Sequence, residues 1–542
     1  MRVLIIGGVA AGTKVAAKLK RENRDHEVTI ITKSKDISYA GCGLPYYVGN
    51  IIKDQSQLIV NTPEKFAKLT GAEVHTETEA IEVNRAEKTV KAIDLKTNEE
   101  KVYTYDKLVI ATGARPFVPN LEGIDLPGVY FMRTPEDAIS LRADIEAGKI
   151  KRAAVIGGGY IGLEVAENLA LQDVKTTVIE MAPNILAGFD KEFAEFAENH
   201  LADHGIMVFA NTKLEAILGE GKVEKIQTSR RAMKVDAVIM SAGIRPNTEF
   251  LKDSGIELNA NGTVKVNEYM QTNDENIYAA GDCVFVKNII TGKDVWAPMG
   301  STANMEGRIV ARNINGEKIA YKGVVGTAVA KLPELNVGRT GLTEKAAKEA
   351  GYNVVSVITV ADDKAHYYAG ASNFFIKLIA DRDTLKVLGL QVMGVGAVDK
   401  VVDVVVTAMS MGATLHDLED LDLAYAPPFS TAIHPLVHTV NVMFNKLKGA
   451  YETVTPEEYT NGETEGYTIL DACLVPTLEG KEYLDLPTIT GKLANHELDE
   501  KLLLICNKGK RAYMVQNRLK YYGYTNTKVL EGGEKFTPIN ED

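Results

Sequence analysis

AAVIGGGYIGLEVAENLALQ, spanning Ala153–Gln172, is the stretch whose reading decides the fold. Its first four residues (153–156) are apolar without interruption and read as a buried strand. Gly157, Gly159 and Gly162 then follow the G-x-G-x-x-G spacing, and a helical stretch starts at Leu163. The first glycine permits a tight turn, the second lets a pyrophosphate approach the backbone, and the third lets helix and strand pack closely. The free N–H groups at the helix start then face the phosphates. The next strand, KTTVIE, ends at Glu180. An acid there accepts hydrogen bonds from ribose hydroxyls and repels a 2′-phosphate, which predicts NADH rather than NADPH.

Upstream, the same order recurs. RVLII (2–6) reads as a strand, GGVAAG covers Gly7–Gly12, TKVAAKLKRE reads as a helix, and EVTIIT (27–32) as the next strand. Val9 stands at the middle glycine position and Thr32 where the ribose-binding acid is expected. Two distant segments, ATGARP (111–116) and IYAAGDC (277–283), support this weaker turn. Two such units imply an α/β chain with two doubly wound nucleotide-binding domains. From about 321 to 445 the texture changes to α+β, with strands NFFIKLIA and KVLGLQVMG and the helical VVDVVVTAMSMGATL. Residues 446–465 are polar, with Gly, Pro and Thr, and read as a linker. The last segment offers a strand KLLLIC, a turn NKGKR and a helix AYMVQNRLKYY. The expected domains are 1–148 with 263–320, then 149–262, 321–445 and, past the linker, 466–542.

A chain of 542 residues is too long for one core. A net charge of −12 disfavours wholesale binding to nucleic acid or an acidic membrane. The apolar run after Arg2 is too short for a signal segment, and no stretch reaches about 18 apolar residues without a charge. A cytoplasmic protein is expected. Its four cysteines, Cys42, Cys283, Cys473 and Cys506, form no CxxC pair and no zinc spacing, so no metal site is expected.

VLIIGGVAAG, YAGCGLPYY, LVIATGARP, GGGYIG and IYAAGDC, in this order, resemble the FAD-dependent pyridine nucleotide–disulfide oxidoreductases over about residues 1–445. The resemblance is closest to the branch of coenzyme A-disulfide reductases and NADH-dependent persulfide or polysulfide reductases. It implies two Rossmann-like domains, the first for FAD and the second for NADH, with an α+β dimerisation domain and hence a homodimer. For FAD it implies Gly7, Gly8, Ala11, Gly12, Thr32, Lys33, Ala111, Thr112, Gly113, Gly281, Asp282 on the ribityl chain, and Pro298 and Ala303 within APMGSTAN. For NADH it implies Gly157, Gly159, Tyr160, Ile161, Gly162, Glu164, Glu180 and Gly243. Lys18 and Arg21 match positions that meet coenzyme A phosphates in relatives, and Ser38, Asn304 and Arg308 complete the implied substrate contacts.

Cys42 lies between two glycines in SYAGCGLPYY. The resemblance sets it beside the isoalloxazine, whose proximity is expected to stabilise a thiolate. Dithiol members of the superfamily carry a second cysteine five positions away. Here those positions hold Ile37 and Tyr47. One thiol cannot close an internal disulfide, so it must cycle as a mixed disulfide, a persulfide or a sulfenic acid. Three readings follow: disulfide or persulfide reduction, NADH oxidase or peroxidase chemistry, and a flavin-containing sulfide or redox sensor. Peroxidases of the superfamily place a histidine in the first glycine turn, where this chain has Ala10 and Ala11.

Tyr367 and Tyr425 match two tyrosines that, in the resembling branch, reach the substrate sulfur from the partner subunit. Ile433 and His434 replace a lysine and an acid of that branch, and the His434–Pro435 pair resembles the catalytic histidine segment of glutathione reductases. Residues 466–542 resemble a rhodanese, a sulfurtransferase fold, through ILD (469–471), LLLICNKGKRAYMVQNRL and VLEGG. Cys506 would be its reactive sulfur, in a six-residue loop ending at Arg511 whose backbone N–H groups can form an anion nest. Lys508, Lys510 and Arg511 would add positive charge. Cys473 replaces the usual arginine and reads as a core cysteine.

Overall fold

Strands covered on both faces need apolar residues at every position, and the β-branched runs of this chain form the centres of two parallel sheets. The computed structural model describes residues 1–539. Contacts divide them into two compact units, residues 1–183 with 205–324, and residues 184–204 with the chain from 325 onward.

The first unit holds both glycine turns. Its first sheet runs Ile277–Ala279, Lys107–Ile110, Arg2–Ile6, Glu27–Ile31, Glu73–His75, all parallel. The second runs Met207–Phe209, Lys175–Ile179, Arg152–Ile156, Ala237–Met240, Val129–Tyr130, also parallel. Val3 to Ile6 and Ala153 to Ile156 are buried. The helices Ala10–Glu22 and Tyr160–Ala170 follow the two glycine turns as expected. An antiparallel pair, Ala114–Pro116 with Ile244–Pro246, joins the two halves. The boundary expected at 148 is crossed, because Val129–Tyr130 completes the second sheet rather than the first.

The second unit contains a five-stranded antiparallel sheet ordered Ala328–Leu332, Leu335–Gly341, Val387–Gly394, Asn373–Asp381, Val354–Asp362. Helices Val398–Ser410 and Pro435–Leu447 accompany it. The helix Lys191–Asp203, expected in the 149–262 domain, belongs to this unit. It buries Phe193, Ala194, Ala197 and Leu201, and its Glu192 pairs with the buried Lys377.

The stretch expected to be a linker is structured. Thr453–Val454 pairs in parallel with Thr527–Leu530 as the edge of the C-terminal sheet. That sheet continues through Leu502–Ile505, Thr468–Asp471 and Glu482–Tyr483. Thr455 and Glu458 form a capping box on the helix Pro456–Thr460, so the polar residues cap a helix end. The buried Glu531 accepts hydrogen bonds from Thr453 Oγ1 at 2.6 Å, Lys446 Nζ at 2.6 Å and the Ile358 N–H at 2.7 Å. Among the described residues no helix is long and apolar enough to cross a membrane.

Candidate functional site

Both glycine turns are built to the same clearances. Gly7 and Gly157 each hold φ at +113°, a left-handed conformation that a side chain resists. A Cβ on Gly12 would lie 1.9 Å from the Gly7 carbonyl oxygen, and one on Gly162 2.0 Å from that of Gly157. The third glycine is therefore a steric requirement of the fold. The middle one is different: a Cβ on Gly159 would meet nothing within 4 Å, and Val9 holds φ −107°. Valine thus causes no strain in the first turn. Neither following helix has a side-chain N-cap, which leaves its first N–H groups for an anion. The buried hydroxyls of Thr112 and Ser241 have no protein partner. They lie in the segments ATGARP and SAGIRP, Thr112 at the second place of one and Ser241 at the first of the other, one behind each turn. These clearances, free donors and orphaned hydroxyls fit two dinucleotides.

Glu180 accepts the N–H of Gly158 and that of Ala182, each at 2.6 Å. One carboxylate oxygen faces each, and lone pairs remain for ribose hydroxyls. Thr32 is buried, and Lys33 is ion-paired with Glu79 at 2.8 Å. Tyr160 and Ile161 open the helix that carries Glu164. Gly113 and Gly243 both hold positive φ, at +65° and +105°.

Asp282 follows the strand Ile277–Ala279 and is held at two points, with its neighbour Gly281 held at a third. Trp296 Nε1 donates to its carbonyl at 2.9 Å, Arg133 Nη2 lies 3.3 Å from its carboxylate, and the Gly281 N–H donates to Glu306 at 2.6 Å. Ala303, on the helix Gly300–Ile314, and Ala11 crowd Gly281 at 3.6 and 3.3 Å from an added Cβ. Asn304 bonds back to the Gly300 carbonyl, and Arg308 is exposed.

Cys42 occupies a one-turn 3₁₀ segment, Gly41–Gly43, leading into the helix Leu44–Val48. It is exposed. Gly43 packs against Ile52 and Ala40, whereas an added Cβ at Gly41 would meet only the Tyr39 ring edge, at 4.0 Å. Tyr46 donates to Glu164 at 3.0 Å, which joins the thiol-bearing turn to the helix behind the second glycine turn. Partial burial, then the charges of Glu164 and Asp282, push the Cys42 thiol above its ordinary value; Arg133 pulls the other way. The polypeptide by itself disfavours the thiolate, whose stabilisation was expected from the isoalloxazine. Ser38 lies nearby in sequence with φ +48°. Lys18 is ion-paired with Glu22 and Arg21 is exposed.

Tyr367, Tyr425 and Cys506 lie in the second unit. The two tyrosines are 68% and 48% exposed, and a hydrogen bond between them pushes the Tyr425 phenol above its ordinary value. His434 caps the helix Pro435–Leu447 by accepting the Leu436 N–H at 3.2 Å. Burial, aided by Lys400, pushes its imidazole down to about 4. It is a neutral cap.

Cys506 follows the buried strand Leu502–Ile505 and accepts the Ala512 N–H on its sulfur at 3.2 Å, a donor from the first turn of the helix Lys510–Tyr521, one residue past the loop expected to form the nest. Two of the three cations expected there are already paired. Lys508 pairs with Asp362 at 2.7 Å and Arg511 with Asp485 at 2.6 Å. Cys473 is buried, and burial pushes its thiol up to about 12 although the Thr477 hydroxyl donates to it at 3.0 Å. It is a core cysteine, as expected. Arg133, Ser241 and Glu306 were not anticipated. Only Ser241 had a signal, since SAGIRP repeats ATGARP.

The family model described as pyridine nucleotide-disulphide oxidoreductase matches residues 1–307, and that of its dimerisation domain matches 327–437. A protein named NADH oxidase from Methanocaldococcus jannaschii is 38% identical over 82% of this chain and 99% of its own. A CoA-dependent NAD(P)H sulfur oxidoreductase from Pyrococcus furiosus is 37% identical over 82% of this chain and 99% of its own. The solved structure of a NAD-dependent persulfide reductase from A. fulgidus is similar with a TM-score of 0.94 at 36% identity, covering 99% of this chain and 100% of its own, so that likeness includes the C-terminal part.

Proposed function

Because the chain belongs to the pyridine nucleotide-disulphide oxidoreductase family, which works with FAD and NAD(P)H, we propose that it reduces a persulfide, polysulfide or coenzyme A disulfide through Cys42 alone. The observation that carries this reading is the isolation of that thiol. Cys42 is exposed, whereas Cys283, the other cysteine of the first unit, is buried with its thiol pushed up to about 12 by that burial. No second thiol of that unit is available to form a disulfide with it.

In this scheme the Cys42 thiolate attacks one sulfur of the substrate. The substrate S–S bond breaks, a mixed disulfide forms, and the other sulfur leaves as a thiolate that takes a proton. FAD and NADH, when bound, supply an electron pair. The mixed disulfide takes up that pair and one proton, returning the Cys42 thiolate and freeing the second thiol. Glu180, tied to Gly158 and Ala182, favours NADH over NADPH through charge repulsion of a 2′-phosphate. Anaerobic NADH consumption with coenzyme A disulfide or polysulfide tests the reading; no consumption above background with either would overturn it.

The name of the M. jannaschii relative favours a second reading, oxygen or peroxide reduction through a Cys42 sulfenic acid. Oxygen uptake that matches NADH consumption, with no acceleration by sulfur acceptors, would favour it over the first.

Tyr367 and Tyr425, bonded to each other and exposed, suit a role in protonating a thiolate leaving group across a homodimer interface. Tyr425→Phe is expected to slow disulfide turnover by about 10–100-fold with flavin content unchanged. Wild-type turnover in that variant removes Tyr425 from the chemistry.

The C-terminal part reads as a rhodanese-like domain that carries sulfane sulfur on Cys506, supported by the Ala512 N–H aimed at that sulfur. Cys506→Ser is expected to lower polysulfide turnover by about tenfold, ~1.4 kcal/mol in barrier, and to leave coenzyme A disulfide turnover intact. Equal rates with both acceptors in that variant and the parent would make the tail dispensable.

A further inference from the structure

The helix Gly300–Ile314 carries a carboxyl group that the sulfur chemistry does not use. Glu306 is 1% exposed, and its Oε2 accepts the Gly281 N–H at 2.6 Å. Gly281 holds φ +86° and immediately precedes Asp282. Packing around this contact is tight, since a Cβ on Gly307 would come within 2.8 Å of the Ala11 carbonyl oxygen. The first glycine turn, the Gly281–Asp282 turn and the Glu306 helix therefore meet at one point.

Among the described residues no cation pairs with Glu306, and the nearby Arg133 is taken up by Asp282, 3.3 Å from its carboxylate. Asp282, on the turn, repels a negative charge there. Cys283, beyond it, is fully buried, and the Tyr321 hydroxyl is buried without a hydrogen-bond partner. On the neighbouring helix the Ala11 carbonyl and the first two side-chain carbons of Lys14 lie against Gly307. A buried carboxylate without a cation is costly, so such groups retain their protons. Burial, reinforced by Asp282, pushes the Glu306 carboxyl up to about 8, outweighing the Gly281 bond, which favours the charged form.

We propose that Glu306 is a positioning residue for FAD: its neutral carboxyl fixes the Gly281–Asp282 turn in the shape that holds the flavin, and its ionisation loosens that turn. The sign follows from which form is bound tightly. With Glu306 protonated, the one negative charge at the turn is that of Asp282, which Arg133 balances. Above about pH 8 a second one forms beside it; the Gly281 N–H binds the carboxylate more strongly, but burial outweighs that bond, so the helix and turn must part to hydrate the charge. FAD affinity is then high at neutral pH and falls as the pH rises through that value. The inference rests on FAD binding alone and is independent of the sulfur acceptor.

Glutamine at this position keeps the shape and the acceptor oxygen but cannot ionise. Holoenzyme dialysed to equilibrium between pH 6.5 and 9.5, with released FAD read by its fluorescence, tests the proposal. The wild-type dissociation constant is expected to rise about tenfold from pH 7 to 9.5. Glu306→Gln is expected to match wild type at pH 7 within about twofold and to show no rise. Glu306→Leu, without an acceptor, is expected to bind weakly throughout. The proposal is overturned if wild type shows no alkaline release, if the glutamine variant releases FAD with the same pH profile, or if it already binds weakly at pH 7. The wild-type and glutamine profiles decide the matter even if the leucine variant does not fold.

Discussion

Cys42→Ser is expected to keep the yellow flavin chromophore and to lose sulfur-acceptor reduction by about 10³-fold or more. Serine fits the site, because Cys42 is exposed and its turn is set by Gly41 and Gly43 rather than by packing of the sulfur. A hydroxyl cannot form the mixed disulfide. Cys283 cannot substitute for it, since that sulfur is buried and donates to the backbone carbonyls of Ile110 and Ala280. Absorbance near the flavin bands and anaerobic NADH consumption measure the two halves of the expectation. More than about a tenth of parental turnover in the serine variant would place the chemistry elsewhere.

The second large effect concerns stability. Lys377 is 2% exposed and lies 3.1 Å from Asp190, 2.6 Å from Glu192 and 3.0 Å from Glu344. Burial pushes the Glu344 carboxyl up, but Lys377, Lys348 and Ser356 together hold it down to about 2. Glu192 is pushed above its ordinary value by burial, against the pull of Lys377. Lys377→Met removes the ammonium and strands the acids, at an expected cost of about 3–5 kcal/mol. Denaturant unfolding at neutral pH measures it. The stabilisation from Glu344 is present above its unfolded carboxylate value and is lost as the pH falls towards about 2. The gap between parent and variant therefore narrows in acid. Adding Glu192→Gln to the methionine variant is expected to recover part of the loss. An unfolding midpoint unchanged in the single variant would show that the cluster contributes nothing to stability.

The two glycine turns were legible residue by residue because their constraints are local. Gly12 must clear Gly7, five positions away, and the same holds for Gly162 and Gly157. The strands beside them were legible because burial on both faces leaves an uninterrupted apolar run. What escaped depends on partners far along the chain. Lys508 reads as a cation for a persulfide until Asp362, 146 positions earlier, is seen to neutralise it. The helix Lys191–Asp203 reads as part of the nucleotide domain until Glu192 meets Lys377, 185 positions later. Glu306 gave no sign in the sequence, because its partner, the Gly281 N–H, lies 25 positions earlier. Thr455-Pro-Glu-Glu458 did carry a local signature, that of a helix start, beneath a composition that resembles a tether.

A module on a flexible leash samples its surroundings at an effective concentration set by leash length. The strand Thr453–Val454, the Glu531 hydrogen bonds and the Lys508–Asp362 pair remove that freedom from the C-terminal sheet. Phe536 adds a ring contact with Phe196, their centroids 5.3 Å apart. Cys506 is thereby riveted, not swung, within its own unit, so its reach is that of the antiparallel sheet to which these contacts tie it. Protease cutting between residues 446 and 465 should then be slow, and added glycine–serine repeats there should disrupt the rivets rather than lengthen a reach.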